Sequence, residues 1–86
     1  MPRYLVESYS SGVTVSQARQ RARLTAELGA GVTYLRTTFL PGEETVLHIF
    51  DAPSMYALDR ASRLAALEFL RIVEAVEASP GVEDER

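Results

Sequence analysis

The chain has 86 residues, a net charge of −3 at pH 7, 47% hydrophobic residues and no cysteine. That length fits one domain with a modest core, and the absence of cysteine excludes both a disulfide framework and a thiolate metal site. The acidic balance argues against non-specific nucleic-acid binding, which needs a basic stripe, and no run of about 18 apolar residues offers a membrane-spanning helix.

All nine basic residues are Arg, a usage that reflects a GC-rich bacterial genome more often than a site. Met1-Pro2-Arg3-Tyr4 lacks the apolar segment of a signal peptide, so a cytoplasmic location is expected. A core this small gains stability mainly from close packing and from burying one face against a second copy, so a homodimer is expected before any motif is considered.

Arg3 to Tyr9 is rich in aromatic and β-branched residues and ends at Ser10-Ser11-Gly12, which reads as a first strand closed by a turn. Thr14-Val15-Ser16-Gln17 has the form of a capping box, with Gln17 reaching back to Thr14. Ala18, Ala22, Thr25, Ala26 and Leu28 then recur at helical spacing, and Arg19, Gln20, Arg21, Arg23 and Glu27 fill the other side. Gly29 and Gly31 stop this helix.

Val32 to Leu40 is a second strand, Pro41-Gly42-Glu43-Glu44 a turn, and Thr45 to Asp51 a third strand, which together make a hairpin. Ser54 is the expected N-cap of a second helix, with Met55, Leu58, Ala61, Ser62 and Ala65 on its buried side. Leu67 to Ala78 suits a helix by its Glu, Ala and Leu and a strand by Ile72, Val73 and Val76, and pattern alone leaves both open. As a strand it completes βαββαβ, the ferredoxin-like α+β fold: a four-stranded antiparallel sheet with two helices on one face. The domain is expected over residues 1–78, and the polar segment 79–86, broken by Pro80-Gly81, is expected to fray.

Strand alternation divides the side chains into two sets. The aliphatic pair Leu47 and Ile49 is the natural choice to meet the helices. The open face then carries Glu7, Tyr34, Arg36, His48 and Phe50, a candidate ligand-binding group. The same residues also suit a structural role, with Glu7 and Arg36 paired beside a satisfied His48.

PRYLVE at 2–7, GVTYLRT at 31–37 and FDAPS at 50–54 together resemble a family of small bacterial nickel-binding-like proteins of otherwise unknown function. The similarity runs from Pro2 to about Val76. The resemblance implies that the last element is a strand, that two copies pair through their sheets into a dimeric α/β barrel, and that some members hold nickel. Members commonly carry His where this chain has Arg36, Cys where it has His48, and a Gly-Leu-Pro-like turn where it has Ala66-Leu67-Glu68. A guanidinium cannot ligate a metal, whereas an imidazole suits Ni²⁺.

Three functions follow as expectations. The first is a non-catalytic binding protein holding a metal ion, nickel in particular, with His48 and Glu7 as ligands or with two His48 side chains brought together by dimer symmetry. The second is a binding protein for a small anionic or aromatic ligand, with Arg36 supplying charge and Tyr34 and Phe50 the walls. The alternative is a cofactor-independent dimeric α/β-barrel enzyme of oxygenase or isomerase type, with His48 and Glu7 as an acid/base pair. No nucleophile motif or phosphate loop is present.

Overall fold

The computed structural model describes residues 1–10 and 14–76. The boundary expected at residue 78 and the polar segment 79–86 lie outside the described residues. The elements run β1 (Arg3–Tyr9), α1 (Val15–Leu28), β2 (Thr33–Leu40), a single 3₁₀ turn (Pro41–Glu43), β3 (Thr45–Asp51), α2 (Met55–Leu64) and β4 (Arg71–Glu74). The sheet order is β2-β3-β1-β4 with every neighbouring pair antiparallel. This is the ferredoxin-like βαββαβ fold. Among the described residues no helix is long and apolar enough to cross a membrane.

The segment with two readings becomes strand for only four residues, Arg71 to Glu74. The residues before it return the chain from α2 to the sheet. The Ala66 N–H donates to the Arg63 carbonyl and the Leu67 N–H to the Ser62 carbonyl, a Schellman pair that satisfies the last carbonyls of α2. Ala66 occupies the left-handed position that this closure requires, with φ 57°. The Leu70 N–H then donates to the Glu7 carbonyl at 2.7 Å, which starts β4 along the edge of β1. At the other end of α2, Ser54 caps as expected by accepting from the Ala57 N–H at 3.1 Å. Thr14 does not cap α1 through its side chain. Its hydroxyl shares a 2.6 Å hydrogen bond with Ser10, so the expected capping box gives way to a contact between β1 and α1.

The core lies between the helices and one sheet face, and it joins Tyr4, Val6 and Phe50 to Ala22, Leu58 and Ala61. The helices meet the sheet largely with small side chains, so the space between the layers is filled by rings and branched residues from the strands. That arrangement decides which strand set turns inward. In register, Tyr4 stands opposite Phe50 and Val6 opposite His48, and Val6, His48 and Phe50 are all 0% exposed. The expected assignment is therefore reversed. Val46, His48 and Phe50 face the helices, while Leu47 and Ile49 face away from them together with Leu5, Glu7 and Val73.

Candidate functional site

The five residues expected on the open face do not gather there. Glu7 stands opposite Leu47 in register and stays on that face, where its carboxylate pairs with Arg71 at 2.6 Å. Arg36 stands opposite Ile49 and is on the same face, exposed, on the outer strand β2. Tyr34, His48 and Phe50 are on the helix-facing side. The reason lies partly in β3, whose bulky residues fill the core, and partly in an irregularity of β2. The register slips between Tyr34 and Arg36, so Leu35 is an extra residue: Tyr34 pairs with Phe50 and Thr37 with His48. Such a bulge moves the residues after it to the opposite parity. Tyr34 and Thr37, three apart, therefore share a face.

Inside, these residues form a polar chain through an apolar layer. The Tyr34 phenol and the Thr37 hydroxyl are 2.6 Å apart, and the Thr37 hydroxyl is 2.8 Å from His48 Nδ1. The Phe50 ring packs against both ends, 5.7 Å from the Tyr34 ring and 6.5 Å from the imidazole between centroids. His48 Nε2 is buried without a hydrogen-bond partner. Burial alone pushes the His48 pKa down to about 4 from the ordinary 6.5, because a charged ring in this layer would lose its hydration without gaining a counter-ion. At neutral pH the ring is uncharged.

The Tyr34 end of the chain opens onto a cleft of about 420 Å³ between α1 and β2. Arg19 and Arg23, one turn apart on α1, line it together with Arg36, Tyr34, Thr37 and Phe39 from β2. No carboxylate is among the lining residues. Of the other arginines, Arg3 pairs with Asp51, Arg63 with Asp59 and Arg71 with Glu7, Arg60 lies over the Tyr56 ring, and Arg21 on α1 has no ion pair among the described residues. Arg19, Arg23 and Arg36 form no ion pair among the described residues. Sequence reasoning placed Arg19 and Arg23 on the solvent side of a helix and gave them no role. The signal available was their i, i+4 spacing with no carboxylate at the intervening helical neighbours.

The metal ligands expected for nickel do not come together in one chain. Glu7 and His48 occupy opposite faces of the sheet, and His48 Nδ1 is engaged by Thr37. No group of three His, Cys, Asp or Glu residues stands together among the described residues. Pairing of two open faces would not join two His48 rings either, because each lies beneath its own helices. Among the described residues, Glu7 and His48 therefore do not form a joint nickel site within one chain. The same separation keeps Glu7 and His48 from acting as an acid/base pair.

No family model matches the sequence, and no curated protein matches it. Among solved structures the chain is similar to the crystal structure of SCO4226 from Streptomyces coelicolor A3(2), with 16% identity and a TM-score of 0.70. The match covers 90% of this chain and 99% of that one. At this identity the likeness establishes the ferredoxin-like α+β fold.

Proposed function

We propose that the protein is a small non-catalytic binding protein that works as a homodimer, its open sheet faces stacked on one another. The observation that carries the dimer is the character of that face. Leu5, Leu47, Ile49 and Val73 form its centre, and both described helices cover the other side. Strands of seven, eight, seven and four residues, about 4.8 Å apart, present a face on the order of 400 Å², a size at which the largest apolar patch of a monomer is often functional. The charges on it suit a second copy: Arg3 with Asp51 and Glu7 with Arg71 place both signs on the same surface. A two-fold partner brings each sign opposite the other.

Binding is favoured over catalysis by the placement of the two groups best suited to proton transfer. Glu7 is held in an ion pair on one face and His48 is neutral and enclosed on the other. The cleft between α1 and β2, lined by cations and rings, is equipped to hold a ligand.

Native mass spectrometry of tag-free protein tests the assembly, alone and with stoichiometric nickel, zinc or phenyl phosphate. The expected result is a dimer that Leu47→Glu converts to a folded monomer. A wild-type monomer at micromolar concentration would remove the face-to-face dimer. A dimer carrying nickel in fixed stoichiometry, lost in His48→Gln, would restore the metal-binding reading against the geometry described above.

A further inference from the structure

The cleft between α1 and β2 has a composition that nothing else in the fold explains. Arg19 and Arg23 stand at i, i+4 on α1, a spacing at which like charges repel and weaken a helix. Arg36, turned to the other face of the sheet, borders the same cleft at the β2 edge, and no carboxylate lines it. The chain as a whole is acidic, at −3, so this concentration of positive charge is local. A guanidinium offers a planar fork of donors that matches an oxyanion and accepts nothing. Phe39, Leu35 and Val15 supply apolar wall in the same cleft, and its volume of about 420 Å³ lies near the lower end for organic-ligand sites. An inorganic ion alone would leave most of it empty.

The buried polar chain adds direction. A neutral imidazole carries one ring proton, and Nε2 has no partner. With the proton on Nδ1, His48 donates to Thr37, Thr37 donates to Tyr34, and the Tyr34 hydroxyl is left to donate into the cleft. Every polar group facing the ligand is then a donor. We propose that this cleft binds a small organic oxyanion, a carboxylate or phosphate on an apolar body about the size of one aromatic ring. Arg19 and Arg23 hold the charged head, Arg36 adds positive charge at the sheet edge, and Tyr34, set by Thr37 and His48, donates a hydrogen bond to the head. This inference rests on the reading of the protein as a binding protein and names its ligand class. Arg36, opposite Ile49, also borders the dimer face, whereas Arg19, Arg23 and Tyr34 stand apart from it.

The test uses the full tag-free chain, ¹⁵N-labelled, titrated with benzoate, phenyl phosphate, inorganic phosphate and, as the cationic control, benzylamine. Benzoate or phenyl phosphate is expected to shift amides within 15–23 and 33–39, with benzylamine silent and inorganic phosphate weaker than its phenyl ester. Preference for the carboxylate or for the phosphate ester tells which head group the site takes. The paired change Arg19→Ala with Arg23→Ala, both exposed and on a helix that tolerates Ala, is expected to weaken binding at least about tenfold. Tyr34→Phe should weaken it several-fold, and Arg60→Ala should leave it unchanged. In the bound protein the long-range ¹H–¹⁵N spectrum of the imidazole should show Nδ1 protonated. Equal binding of benzylamine, unaltered affinity in the double Arg variant, or no binding by any anion overturns the site. A bound state with Nε2 protonated overturns the part given to His48. Conversion of a probe to product would overturn the non-catalytic reading and leave the site in place, and the subunit count in the same samples reports on the dimer separately.

Discussion

Lowering the pH should destabilise this protein through His48 in a window set by its burial. The folded ring titrates near 4 and the unfolded one near 6.5. Between those values the unfolded chain binds a proton that the native protein does not, so stability rises with pH across the window. The contribution is therefore complete above 6.5 and is lost as the pH falls towards 4. At about 1.4 kcal/mol for each pH decade, the whole effect is about 3 kcal/mol, a large share of the roughly 5–15 kcal/mol that holds a small domain folded. The Asp51 carboxyl, held below its ordinary value chiefly by its hydrogen bond from Arg3, loses its contribution only at lower pH, so the two processes separate along the pH axis.

The assay is urea unfolding followed by far-UV circular dichroism from pH 4.5 to 7.5, at fixed protein concentration, for wild type and His48→Gln. Carboxylates titrate in both proteins and cancel in the difference. The wild type should lose roughly 2 kcal/mol more than the variant between pH 6.5 and 5. Because the chain has one His, its Cε1 proton gives an independent reading, with no titration expected above pH 5 in the folded protein. Parallel pH profiles, or a folded-state midpoint near 6.5, would refute the account of His48 as an enclosed neutral ring.

Four further changes have expected outcomes. Phe50→Ala removes the ring that spans the polar chain and the core, and urea unfolding should show a loss of about 3–5 kcal/mol. Gly29→Ala should also destabilise, by about 1–3 kcal/mol in the same assay, since an added Cβ would lie 2.7 Å from both the Ala61 Cβ and a Val32 methyl. Ala66→Gly should raise the thermal midpoint, because Ala66 holds φ 57° and relief of that strain is worth about 1 kcal/mol. Ser54→Ala should cost about 1 kcal/mol in thermal unfolding through loss of the α2 cap.

Much of the fold is legible in the residues because local signals and tertiary demands agree. β1 and β3 occupy Arg3–Tyr9 and Thr45–Asp51, the spans their β-branched and aromatic content marks out, and Ser54 caps as its position implies. The last element is short because Ala66 to Leu70 is taken up by the turn off α2, a demand of geometry that composition does not carry. Which face of the sheet is inward is hidden for a different reason. Alternation separates two sets but does not say which one meets the helices, and His48 made the wrong set look like the surface. Its partner, Thr37, is invisible until the strands are paired. Met55, expected on the buried side of α2, is 43% exposed because it stands at the first position of the helix.

The bulge in β2 is what turns these separate features into a site. Under strict alternation Tyr34 and Arg36 would share a face and Thr37 would oppose both. With Leu35 inserted, Tyr34 and Thr37 both turn inward to meet His48, and Arg36 is left on the other side at the sheet edge. One extra residue thus connects a buried imidazole to an arginine-lined cleft by two hydrogen bonds. The same irregularity interrupts the outer edge of β2, which disfavours continuous strand-to-strand pairing there with another chain. That leaves the flat aliphatic face as the surface better suited to a second copy, and the cleft beside α1 free for a ligand.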